Sequence, residues 1–127
     1  MYFNDSGAGV TWAFDYDALD GPTNRRALAT GGPGVPDGLC VDAEGGVWVA
    51  RYDGHCVQRL DPDGTLVGVV ELPPSRVTAC CFGGDDLATL YITTSREGLA
   101  EDAEPEAGSL YAVRPGVAGM PAPGFAG

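Results

Sequence analysis

The chain has 127 residues and a formal net charge of −11, from 18 acidic groups against seven basic ones, all of them arginine. Nucleic acid and anionic membranes would meet a repelling surface with few cations to neutralise phosphate, so neither is expected as a partner. Hydrophobic residues make up 44% of the chain, enough for the packed core of one domain, yet no apolar run reaches the roughly 20 residues that span a bilayer.

Apolar residues come in short runs rich in Val, Tyr, Phe and Trp, cut by Gly, Asp and Pro, which is the pattern of strands rather than helices. In chain order the predicted strands are Tyr2–Asn4, Thr11–Tyr16, Arg26–Ala29, Gly38–Asp42, Val47–Arg51, Cys56–Leu60, Leu66–Leu72, Thr78–Phe82, Thr89–Thr93 and Ser109–Arg114. Between them, Asp42-Ala-Glu-Gly-Gly46 and Asp61-Pro-Asp-Gly64 are turn sequences: Asp bonds its own backbone and Gly accepts a positive φ. Cys40, Cys56, Cys80 and Cys81 lack the close paired spacing of a zinc site and read as buried free thiols. In a strand Cys80 and Cys81 point to opposite faces, which argues against a redox pair between them. The opening Met1-Tyr-Phe-Asn-Asp has no basic segment of a secretory signal, so a cytoplasmic location is expected.

An internal repeat selects the all-β architecture. Met1–Asp17 aligns without a gap on Val47–Asp63, matching Tyr2 with Trp48, Phe14 with Leu60, Asp15 with Asp61 and Asp17 with Asp63. A third copy begins at Leu90 and resumes at Ser109 after an inserted loop over Gly98–Ala107. A period of 40 to 50 residues with about four strands marks β-propeller blades. The expected division is a partial blade over 1–30, a blade over 31–74 and a final blade region over 75–127 with the insertion at 98–107. That amounts to about two and a half to three blades, fewer than the four to eight that close a propeller. The chain is therefore expected to be the C-terminal part of a longer protein. The alternative is self-association to cover an open edge.

Val35-Pro-Asp-Gly-Leu-Cys-Val-Asp-Ala-Glu-Gly-Gly-Val-Trp-Val-Ala50 resembles the central signature of the regucalcin/gluconolactonase/luciferin-regenerating-enzyme family. Ala13-Phe-Asp-Tyr-Asp17 with Asn24-Arg-Arg26, Thr78–Gly84, Leu90–Gly98 and Pro123–Gly127 are similar to flanking parts of that family, in order. The resemblance implies a six-bladed propeller with one divalent cation at the top of its channel, calcium first, with zinc or another divalent ion as alternatives. It also implies hydrolysis of a sugar-type lactone. The family's metal ligands are a Glu, an Asn of an Asn-Gly motif and the Asp of Pro-Asp-Gly, and only the last has a counterpart here, Asp37. Asp37 is thus the candidate for both metal ligand and catalytic base, and the small-molecule lactone is the expected partner. A non-catalytic calcium-binding or remnant propeller piece is the competing reading.

Other candidates carry blander expectations. Asn4 and Asp5 match the strand after the family's ligand Asn and are not taken as ligands. Asp61 and Asp63 lack the further acidic ligands of an EF-hand and read as turn residues. His55, the single histidine, sits in a predicted turn with no nucleophile placed beside it. Glu101, Asp102, Glu104 and Glu106 form an acidic loop that faces solvent or covers the channel mouth. Trp12, Trp48, Tyr91 and Tyr111 recur at repeat positions and are expected in the core. Arg51 and Arg96 follow predicted inner strands, from where they approach a channel anion or pair with surface carboxylates.

Overall fold

The computed structural model of the protein describes residues 1–122 and 124. Among these residues the chain forms ten β-strands in three antiparallel sheets and no helix, so none is long and apolar enough to cross a membrane. The first sheet is β1 (Tyr2–Asp5), β2 (Val10–Asp17) and β3 (Gly21–Thr30) in that order. The second is β4 (Val35–Val41), β5 (Val47–Tyr52), β6 (Cys56–Leu60) and β7 (Leu66–Glu71). The third has β9 (Thr89–Thr94) between β8 (Val77–Gly83) and β10 (Leu110–Val113). These sheets are propeller blades, laid side by side with β4 against both β1 and β8. The sequence match over Pro123–Gly127 lies outside the described residues apart from Gly124.

The repeat holds at the level of hydrogen-bonded register. Tyr2 pairs with Ala13 as Trp48 pairs with Arg59, Asn4 with Thr11 as Ala50 with Val57, and Asp5 with Val10 as Arg51 with Cys56. A shared register means that equivalent side chains of successive blades point the same way, because a slip of one residue would reverse every face. The central strand β5 shows the consequence. Val47 and Val49 point toward the first sheet, where Tyr2 and Leu28 pack on them together with Leu39 and Leu60 of their own sheet. Trp48 and Ala50 point the other way, into a cluster with Val57, Leu72, Val77, Cys80, Leu90 and Ile92. Each fully buried side chain of this kind contributes about 1.5–3 kcal/mol. A strand covered on both faces needs the continuous apolar run that Val47–Ala50 supplies. Trp48 also meets Phe82 edge to face, with ring centroids 5.8 Å apart.

All ten predicted strands are present, but three readings need correction. The third strand starts at Gly21 rather than Arg26, because Thr23–Gly21 pairs with Asp15–Asp17 across an exposed edge that carries no hydrophobic pattern. Asp15 consequently lies in a strand, paired with Asn24 and Arg26, while Asp17 takes the turn role by accepting from the amide of Leu19. The repeat equivalence of Asp15 with the turn residue Asp61 therefore fails. All four cysteines are free thiols, but only Cys56 and Cys80 are buried; Cys40 is half-buried and Cys81 is exposed. Asp61, by contrast, accepts the amides of Asp63 and Thr65 as a turn aspartate should.

Candidate metal and catalytic site at Asp37

Asp37 stands near the start of β4, in a bulge where the pairing with β5 jumps from Pro36–Arg51 to Leu39–Val49. A bulge re-aims a side chain that regular pleating would send elsewhere, which explains why a sequence that looks like a turn lies inside a strand. Three neighbours hold the bulge. Pro36 before it is fully buried. Gly38 after it lies so close to β8 that an added Cβ would be 2.7 Å from Ala79 Cα and 2.8 Å from the Thr78 carbonyl oxygen. Replacing Gly38 with alanine is therefore expected to push β4 off β8 and destabilise the fold by about 1–3 kcal/mol, measurable by urea unfolding. Unchanged stability would show that the strands part freely here.

The third neighbour is β1. Asn4 Nδ2 donates to the Asp37 carbonyl oxygen at 2.6 Å, and Ser6 Oγ donates to the Pro36 carbonyl oxygen at 2.6 Å. The other end of the Asn4 amide accepts from Thr11 Oγ1 at 2.7 Å, so the whole amide is committed to positioning. Asn4 and Thr11 stand where the next blade has Ala50 and Val57. This paired polar replacement in an otherwise apolar repeat was the sequence signal for residues that set the Asp37 backbone.

The Asp37 carboxylate is half-buried, and among the described residues it accepts no hydrogen bond and pairs with no cation. Burial alone pushes it above the usual carboxylate range. Every other carboxylate with a resolved shift is held low by donors: Asp15 by Asn24 and Arg26, Asp42 by Arg59, Trp48 and the amides of Gly46 and Glu44, Asp86 by the Ala88 amide and Arg114, Glu104 by the Ser75 amide. Among the described residues Asp37 is thus a half-buried carboxylate whose lone pairs no donor claims. No group of three or more His, Cys, Asp or Glu side chains among the described residues is arranged to hold a metal. Asp37 would supply one ligand of a hard cation, which takes six or more oxygens.

The arginines do not approach Asp37. Arg51, though 3% exposed, spends its guanidinium on the backbone of the loop before β4, bonding the carbonyls of Gly31, Pro33 and Gly34. Arg96 does the same for the inserted loop through the carbonyls of Glu101, Glu104 and Pro105. That loop folds back on its own blade: Glu104 accepts the Ser75 amide at 2.8 Å and Glu106 accepts the Tyr111 hydroxyl at 2.8 Å. Trp48 is buried, whereas Trp12, Tyr91 and Tyr111 are half-buried, and Arg25 covers the Trp12 ring at 4.7 Å. His55 is exposed in the β5–β6 turn, with Nδ1 3.1 Å from the Pro73 carbonyl oxygen. A cleft of 390 Å³ at that turn is lined by Pro33, His55, Cys56, Gln58 and Glu71, and Asp37 is not among its walls.

Comparison with known proteins places this architecture. Residues 1–96 match the SMP-30/Gluconolactonase/LRE-like region. Rabbit (Oryctolagus cuniculus) regucalcin is 42% identical over 135 residues, covering all of this chain and 45% of the rabbit protein. The chain thus spans about half the length of the curated relatives it matches. A solved regucalcin from Agrobacterium tumefaciens, described as a calcium-binding protein, superposes with a TM-score of 0.85 at 33% identity, over 94% of this chain and 43% of that one. Luciferin-regenerating enzyme superposes with a TM-score of 0.83 at 34% identity, over 94% of this chain and 43% of its own. With a family match over three quarters of its length and the same blades in space, the chain belongs to the SMP-30/gluconolactonase/LRE-like family.

Proposed function

We propose that this chain supplies the Asp37 wall of a metal-dependent site that hydrolyses sugar-type lactones. The observation that carries the reading is Asp37 itself: a half-buried carboxylate, aimed by a bulge and braced by Asn4, Ser6 and Gly38, with no protein partner among the described residues. A divalent cation would fit its oxygens, calcium being the first choice and zinc or another divalent ion the alternative; bound there, it would polarise the lactone carbonyl. Asp37 would take a proton from the attacking water at a carboxylate oxygen, and burial makes it a stronger base than an exposed aspartate. The Asn4–Thr11 pair fixes the strand from which it acts. The remaining ligands and the substrate contacts would come from further blades of the propeller, or from a second copy. A non-catalytic calcium-binding or remnant propeller piece is the second reading, supported by the description of the solved Agrobacterium tumefaciens regucalcin as a calcium-binding protein.

Splicing this chain in place of the matching part of rabbit regucalcin tests the proposal. The chimera is expected to hydrolyse a sugar lactone with added calcium and to stop when the metal is chelated. A folded chimera that binds calcium without turnover would favour the second reading. The 127-residue chain alone is expected to show no turnover, because one protein ligand cannot hold the cation. Metal-dependent hydrolysis by the purified monomer would overturn that expectation.

A further inference from the structure

Beneath the Asp37 bulge, two thiols face each other across neighbouring blades. Cys40 of β4 and Cys80 of β8 have their Sγ atoms 3.7 Å apart, close enough for a thiol hydrogen bond. They are 40 residues apart in the chain and belong to different sheets. Two residues before Cys40, Gly38 meets Ala79, the residue before Cys80, at a separation that leaves no room for a Cβ. The two strands therefore run close together beside the cysteines, as a bridge between them requires. Cys80 is 6% exposed and its Sγ also lies 3.6 Å from the Trp48 carbonyl oxygen, whereas Cys40 is half-buried. Cys81 points to the opposite, exposed face of β8, and Cys56 is buried on another strand.

We propose that Cys40 and Cys80 form a reversible inter-blade disulfide under peroxide, bracing the strand that carries Asp37 against β8. The Cys40 thiolate attacks one peroxide oxygen, giving a sulfenic acid and, after proton uptake, water. The Cys80 sulfur then attacks the Cys40 sulfur and gives up its proton, and the sulfenic oxygen leaves as a second water. Overall two thiols lose two electrons and two protons to one hydrogen peroxide, which becomes two waters. Closure needs the sulfurs to move from 3.7 Å to about 2.05 Å, a side-chain adjustment within one contact. The bridge would fix β4 to β8 immediately beside the Asp37 bulge. Its existence does not depend on the lactonase reading.

The test uses the 127-residue chain and a Cys81→Ser variant, each treated with hydrogen peroxide and then alkylated. In both, two thiols are expected to become unavailable and to return with dithiothreitol. Cleavage after arginine without reduction would link the peptide ending at Arg51, which carries Cys40, to the peptide beginning at Val77, which carries Cys80. The melting midpoint of the oxidised Cys81→Ser chain should rise by at least about 4 °C. Cys40→Ser should give no linked peptide. A full set of reactive thiols after oxidation of the folded chain, or a link that runs through Cys81 between two molecules, would overturn the proposal.

Discussion

Replacing Asp42 with alanine is expected to destabilise the chain by about 3–5 kcal/mol, because two buried donors, the Gly46 amide and Trp48 Nε1, would be left unsatisfied at about 1–3 kcal/mol each. Asp42 is fully buried and accepts four hydrogen bonds. Its Oδ1 takes the amides of Glu44 at 2.9 Å and Gly46 at 2.8 Å, while Oδ2 takes Trp48 Nε1 at 2.8 Å and Arg59 Nε at 2.7 Å. Alanine would leave the buried Gly46 amide and Trp48 Nε1 without an acceptor, while the exposed Glu44 amide and Arg59, which keeps Glu44, can turn to water. Asp42→Asn is the finer probe. It keeps an oxygen for the two amides but turns an NH2 toward Trp48 and Arg59, and is expected to cost about 1–3 kcal/mol. Urea unfolding of the three proteins gives both figures, and a loss below about 1 kcal/mol for Asp42→Ala would show that the four bonds carry no net stability.

The same network sets a pH dependence. Burial by itself would raise the Asp42 carboxyl, but bonds from Arg59, Trp48 and the amides of Gly46 and Glu44 together outweigh it and hold the group below its ordinary 3.8. A carboxyl with a lowered folded-state pKa stabilises the fold at pH values above its unfolded pKa, and that stability disappears as pH falls through the folded value. The advantage of the natural protein over Asp42→Asn should therefore be complete at neutral pH, shrink below about pH 5 and vanish in strong acid. An advantage independent of pH would show that the aspartate's charge contributes nothing.

How this was legible in the sequence depends on the kind of contact. The strands were readable because Val47–Ala50 must be apolar and most of its repeat partners are too, and the shared register shows that the 46-residue offset was structural. Asp42 and Asp61 looked alike, each an aspartate ahead of a glycine turn. Only Asp42 has a tryptophan and an arginine brought to it by the β5–β6 pairing, a contact set by register rather than by local sequence. Arg51 was equally opaque, since its partners are backbone carbonyls, which no sequence pattern advertises. Asp37 read as a turn on its own residues, and the family motif, not its spacing, marked it out. The structure adds the reason a strand can hold it there: the bulge, the Asn4 amide and the missing Cβ of Gly38.

Asp37 should behave in the opposite way to Asp42, with function and stability pulling apart. In the regucalcin chimera Asp37→Asn is expected to lower kcat/KM for lactone hydrolysis by about 10²–10⁴-fold, the usual contribution of a positioned general base. The asparagine oxygen can still reach a cation, so half-saturation by calcium should shift less than kcat falls. Asp37→Ala removes the oxygen as well and should lose both. In the 127-residue chain, by contrast, Asp37→Asn should leave the melting midpoint unchanged or raise it. The carboxylate charge is half-buried with no donor among the described residues, so neutralising it removes an unfavourable burial rather than a bond. A residue that carries its burial cost without a compensating contact is what a site kept for an outside ligand requires. If Asp37→Asn instead destabilised the chain by as much as Asp42→Asn while the chimera kept its turnover, Asp37 would be a structural strand residue, and the base would have to be sought elsewhere on the propeller.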